Sequence, residues 1–238
     1  MVREEVATSS MATNPDLLAV LGRGVQQVNG RWVPSPDLEV YNGRYHSPTP
    51  IPGDDAHPNC RIGGGQLNAD AAVAFLKRTP IPCVLGDART AKYLRDVGGP
   101  SEHEVLTEAV RLALPSVRVI EAKGPDRGPS NTRIEIHHMV SLARRRGFRH
   151  VLFLTVLAHL PRVLLLAERE VGRSLVCSGA SSEAVLLTHR PDQRDRISRL
   201  LGSRALMRTV EMELSGVNAL LAGTYDQGAF GDRGLVST

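Results

Sequence analysis

Four short, largely apolar runs, each breaking into a polar turn and separated by segments with helix signals, set the tightest limit on how this chain folds. They are Leu17–Leu21, Pro82–Leu85, Val117–Ile120 and Val151–Thr155. Continuous apolar runs of this length read as strands buried on both faces, the mark of a parallel sheet covered by helices. The segments between them carry helix signals. Leu67–Leu76 is alanine-rich and is closed by Pro80, and Thr90–Val97 is a short helix stopped by Gly98-Gly99-Pro100. Ser101 and Glu104 form a capping box for a helix to about Leu114. Thr132 and Glu135 form a second one, followed by Ile136, Met139, Val140 and Ala143 on one face. Arg144–Arg146 and Gly147 close that helix at its C-terminal end. Pro161–Glu170 is a further helix with proline at its start, and Leu175–Cys177 offers a fifth strand.

The alternation predicts an α/β protein, a three-layer fold with a mostly parallel sheet of four to five strands and right-handed crossovers. A helical C-terminal tail follows over Pro191–Leu221, with breaks at Gly202 and Gly216. Three parts are expected: a polar leader over 1–14, the α/β domain over 15–190, and a helical extension over 191–238 packed on the same domain. Residues 25–65 are rich in Pro, Gly and Asp without sustained periodicity, and read as a long functional or disordered loop.

Composition narrows the function. The chain has 238 residues, 42% hydrophobic and 23% charged, which describes one large globular domain more readily than two small ones. The net charge is +4, but only Lys77, Lys92 and Lys123 are lysines and aromatic residues make up 4%. With so few stacking platforms, nucleic acid is not an expected partner. Cys60, Cys83 and Cys177 are odd in number and lack short spacings, so no disulfide framework is expected and a reducing cytoplasm fits. The N-terminus lacks the basic start and apolar core of a signal peptide. The longest apolar run, Val151–Leu166, is broken by His159, Pro161 and Arg162, short of the ~20 residues of a membrane span.

Chemistry gathers at two strand-to-helix turns, where open α/β sheets bind ligands. The first carries Glu121 and Ser130-Asn131-Thr132-x-x-Glu135; the second carries Thr155 and His159-x-Pro161-Arg162. Ser130, Asn131 and Thr132 stand at a helix start, whose unpaired N–H groups and dipole suit a phosphate or carboxylate. The plainer reading of Thr132 and Glu135 is a helix cap alone. His159 suits an acid, base or donor and Arg162 an anion clamp, against a reading in which both make local structural contacts. Gly22, Arg23 and Gly24 would form one wall of the site and Asp87 with Arg89 another. Glu102 and Glu121 would orient donors or bind ligand hydroxyls.

Several known signatures are missing. Gly22-Arg23-Gly24 lacks the third glycine of a dinucleotide fingerprint, and Gly63-Gly64-Gly65 follows no clear strand. There is no Walker phosphate loop and no Gly-x-Ser-x-Gly elbow. Asp54, Asp55, His57 and Cys60 lie close together without zinc spacing, so no metal is expected. His137 and His138 are adjacent on a helix, about 100° apart, and do not chelate jointly.

These signals, in this order, resemble the bacterial YdcF/SanA/ElyC family, over about residues 17–170. Val20-Leu21-Gly22-x-Gly24 is similar to its first strand and glycine turn, Arg61 to the arginine that leads its second element, and Ser101-Glu102 to its Ser-Glu-Ala helix start. Glu121 with Ser130-Asn131-Thr132-x-x-Glu135, and Thr155 with His159-x-Pro161-Arg162, resemble its two polar motifs. The chain departs at Leu85-Gly86-Asp87, where the family has Ser-Gly-Gly, and at Ile136, where it has Asn. Its lack of membrane segments is closer to the cytosolic YdcF branch. The resemblance implies a Rossmann-like sheet and S-adenosylmethionine as cofactor. The expected function is therefore a cytoplasmic biosynthetic enzyme that binds a small anionic, nucleotide-like ligand and transfers a group from S-adenosylmethionine. A hydrolase or transferase acting on a phosphorylated or nucleotide-sugar substrate is the alternative. So is a non-catalytic ligand-binding module in envelope or metabolic regulation. A homodimer through Arg204–Leu221 is also an expectation.

Overall fold

Strand β1 (Leu17–Val20) forms the middle of the molecule because every one of its residues is apolar and buried. The structure, a computed structural model, describes residues 14–41, 51–122, 131–172 and 175–225. After β1 come β2 (Val25–Val28), β3 (Arg31–Pro34), β4 (Leu38–Val40), β5 (Ile51–Pro52), β6 (Cys60–Ile62) and α1 (Gly65–Leu76). Then follow β7 (Cys83–Leu85), α2 (Lys92–Arg95), α3 (Glu102–Ala113), α4 (Thr132–Arg146), β8 (His150–Thr155) and α5 (Leu160–Val171). The last described elements are β9 (Val176–Ser181), α6 (Ser182–His189), α7 (Arg194–Leu201) and α8 (Arg204–Leu221).

The main sheet is parallel throughout, in the order β7-β1-β8-β9. Alternate side chains feed two cores. Leu18, Val20, Leu152 and Leu154 pack with α1, α3 and α6, whereas Leu17, Ala19, Val151 and Phe153 pack with α4 and α5. Both faces are thus dry, which explains the unbroken apolar runs. The architecture is the expected Rossmann-like one, with the C-terminal helices packed against α5, α6 and β6.

The segment Val117–Ile120 forms a single parallel bridge, Val119 to Cys83, and not a full strand. It lies on the outer side of β7, where Val117 and Val119 are only partly buried. Counting it, the sheet runs third-second-first-fourth-fifth in chain order. That is the doubly wound order, with its reversal between β1 and β8.

Residues 25–65 correct the expected long loop. They hold a β2–β3 hairpin and an antiparallel sheet β5-β4-β6. The hairpin turns at Asn29 (φ 49) and Gly30 (φ 76), the left-handed pair that a tight two-residue turn requires. The expected helix over Thr90–Val97 shrinks to Lys92–Arg95. Helix α8 runs unbroken through Gly216. Ser130 and the rest of residues 123–130 lie outside the described residues.

Candidate functional site

The turn after β1 leaves the sheet at the reversal point, and two carboxylates from different helices hold it. Gly22 N–H donates to Glu135 Oε1 at 2.7 Å and Gly24 N–H donates to Glu102 Oε1 at 2.9 Å. A Cβ at Gly22 would overlap Glu102 Oε2 and stand 3.4 Å from Glu135 Oε1, so only glycine admits both carboxyl groups here. Glu102 is the first residue of α3, whose Ser101–Glu104 capping box is present. Glu135 does not close a second box. The N-cap of α4 is Asn131, one residue before the expected Thr132, and its Oδ1 accepts from Ile134 N–H at 3.1 Å. That leaves the Glu135 carboxyl to reach Gly22. Burial pushes its pKa well above the usual carboxylate range and the charges of Glu102 and Asp87 add to this, against the Gly22 N–H and Arg23.

Asp87, two residues beyond β7, joins the same group. It is buried, accepts from Arg89 N–H at 3.0 Å and lies 3.5 Å from the Arg89 guanidinium. His138 Nδ1 stands 3.8 Å from Asp87 Oδ1, and burial lowers its pKa against the pull of Asp87. His137, its neighbour, points outward to Glu170 at 2.9 Å. Glu121 is exposed at the end of the bridged edge segment, and Thr132 is half-buried.

On the other side of the reversal sits a second cluster, built around a residue that the motifs had not singled out. Glu213, on α8, is 3% exposed and receives Arg23 at 3.2 Å, His159 Nδ1 at 2.9 Å and Arg162 Nε at 2.9 Å. Arg23 also donates to the carbonyls of Ile62 and Gly63. Burial lowers the His159 pKa to about 4, with Arg162 and Arg23 acting the same way and Glu213 opposing. Burial pushes Glu213 upward, but His159, Arg162 and Arg23 outweigh it and hold the group down at about 2. The helix fits because its buried stripe is Ala205, Thr209, Glu213, Gly216 and Leu220. A Cβ at Gly216 would lie 2.9 Å from Arg162 Nη1. Asp55 caps this helix through the N–H groups of Arg204 and Ala205, and Arg61 reaches Met212 Sδ and lies over the Tyr41 ring. Of Asp54, Asp55, His57 and Cys60, Asp55 thus holds α8 and Asp54 and His57 accept from the loop's own N–H groups, and among the described residues no His, Cys, Asp or Glu group is placed to bind a metal ion.

The start of α1 is closed too. Ser35 Oγ and its carbonyl accept from Gly65 and Gln66 N–H, while Pro36 and Asp37 carbonyls accept from Gly64 and Gly63. The three glycines therefore serve a close backbone approach and not a phosphate. Leu157 N–H, beyond β8, donates to Glu183 Oε2 at 2.8 Å. An open cleft of about 580 Å³ lies elsewhere, lined by Arg31, Trp32, Gly98 to Pro100, Glu104, Val105 and Glu108. Burial raises Cys83 to about 12 and Cys177 to about 11, which keeps both as thiols and not nucleophiles.

The depressed His159 gives a pH signature. Its unfolded form takes a proton near pH 6.5 and its folded form only near 4, so stability is lost as pH falls across that window. Glu135 and Glu183, both raised by burial, tilt the other way. The difference in melting temperature between wild type and His159→Gln should therefore shrink steadily from pH 7 to pH 4; a difference that stays constant would show that His159 is not titrating in this way.

No helix among the described residues is long and apolar enough to cross a membrane. No family model, no curated protein and no solved structure matches the chain.

Proposed function

We propose that the protein is an enzyme that binds an S-adenosylmethionine-like ligand at the β1/β7 side of the reversal point and transfers a group from it. One observation carries the reading over a phosphorylated substrate. Groups that a phosphate would need are engaged by the chain itself: the N–H groups of Gly22, Gly24 and Gly65 donate to Glu135, Glu102 and Ser35, and Arg23 and Arg162 are ion-paired to Glu213. What gathers at the reversal point from α3, α4 and the exit of β7 is carboxyl groups, each able to accept several hydrogen bonds. Such a surface suits hydroxyls and a positive charge, which an adenosyl sulfonium supplies and a phosphate does not.

Asp87 adds to this. It follows the second strand in doubly wound order, the position from which an acidic residue takes ribose hydroxyls in such folds. The likeness of the turn and helix starts to the YdcF branch points the same way. In this proposal Asp87 binds the ribose, Glu102 and Glu135 face the charged end, and the proton-moving role expected of His159 passes to those two carboxyl groups. His159 and Arg162 hold α8 in place. A cytoplasmic, biosynthetic setting belongs to the same proposal.

Calorimetric titration tests it. S-adenosylmethionine and S-adenosylhomocysteine should bind, with ADP and inorganic phosphate far weaker. Asp87→Asn should weaken both adenosyl compounds about tenfold, the loss of one charge-assisted hydrogen bond. Tight ADP binding that survives in Asp87→Asn would instead favour phosphate chemistry.

A further inference from the structure

Two carboxyl groups converging on one glycine Cα do not both ionise at neutral pH when one of them is buried. Glu135 is 6% exposed, and Glu102 meets it over Gly22 from the start of α3. The groups facing Glu135 are Glu102 from α3, Asp87 from the exit of β7, and Arg23 with the Gly22 N–H from the exit of β1. Arg23 is drawn toward Glu213 at 3.2 Å. On α4 itself, His138 lies one turn further along. His138 is 6% exposed and turns its Nδ1 to the Asp87 corner of the cluster at 3.8 Å.

We infer that Glu102 and Glu135 hold one proton between them in the empty site, and that the positive charge of the ligand replaces it. This rests on the adenosyl reading above and specifies its electrostatics. The balance is simple: Glu135 gives its proton to solvent, an ammonium or sulfonium arrives, and the net charge of the cluster is unchanged. The proton spares the empty protein the repulsion of two adjacent carboxylates. It also makes affinity depend on pH, because the ligand must compete with it.

The test is calorimetry of S-adenosylmethionine binding to the full chain, at one pH, in buffers of different ionisation enthalpy. About one proton should be released per ligand bound, and the Kd should fall about tenfold per pH unit while Glu135 remains protonated. In Glu135→Gln the release should vanish and the pH dependence flatten. Release with both S-adenosylmethionine and S-adenosylhomocysteine would assign the exchange to the ammonium, and release with the former alone to the sulfonium. Binding without proton release, or release that persists in Glu135→Gln, overturns the exchange and leaves the adenosyl reading standing. Absence of binding by either compound overturns both. Should Glu135→Gln fail to fold, infrared spectroscopy of the wild type decides: a protonated carboxyl band in the ligand-free protein at neutral pH must disappear on adding ligand, and its absence sinks the inference.

Discussion

Glu213→Ala will cost the fold about 3–5 kcal/mol, because it strips the carboxylate from a buried cluster and leaves the charges of Arg23 and Arg162 without it. Both guanidinium groups are 4% exposed, so water does not take over the role of Glu213. The loss should appear as a lower midpoint in urea denaturation, and α8 should exchange its amide hydrogens faster than α5. Glu213→Gln keeps the shape and one acceptor for His159 but not the charge, and should fall between the two. Thr209→Val makes a useful contrast, since it removes no charge, only the acceptor for Ile62 N–H and the hydroxyl's own bond to the Ala205 carbonyl, and should cost on the order of 1–3 kcal/mol. A midpoint for Glu213→Ala within experimental error of wild type would mean that α8 is held by its apolar contacts alone.

Gly65→Ala is the second large effect. A Cβ there would lie 2.6 Å from Ser35 N and 2.8 Å from Gly24 O, main-chain atoms hydrogen-bonded to each other that have no flexible end to swing away. Overpacking of this kind costs about 1–3 kcal/mol, and displacing Ser35 from the Gly65 N–H adds roughly 1 kcal/mol. Because Gly24 carries the Glu102 contact, the same substitution should also weaken adenosyl binding, read by calorimetry on whatever protein remains folded. Gly147→Ala offers the control: nothing stands within 4 Å of its Cβ, and only its φ of +75° resists, at a cost of about 1 kcal/mol. Equal losses in the two variants would refute the close-approach explanation.

The sheet was legible in the sequence because its central strands are buried on both faces. The runs at Leu17, Pro82 and Val151 need no alternation to be recognised. The edge was harder. Val176–Ser181 is a six-residue strand whose Ser178, Gly179 and Ser181 carry no apolar signal, and Gly179 is small so that Leu160 and Leu164 can close over it. The hairpin after β1 had a readable sign in Asn29-Gly30, but the prolines around it masked the pattern. Of the site, the glycine turn and its neighbours at Asp87 and Glu102 were found from their places at strand ends. The partner of the turn was misassigned, since a glutamate three residues after a threonine reads as a cap until the neighbouring asparagine takes that role. Glu213 was missed for a different reason. Its only mark is that one acid stands in the otherwise small or apolar stripe Ala205, Thr209, Gly216 and Leu220, a signal that needs the helix face to be drawn before it is seen.

That stripe ties the last helix to the first turn. Arg23 emerges from the ribosome early and waits 190 positions for Glu213. Until then the Arg23 guanidinium has no counter-charge from α8, although the Gly22 and Gly24 N–H groups already have Glu135 and Glu102 to hold them. The buried ion pair behind the turn after β1 thus forms only when α8 docks.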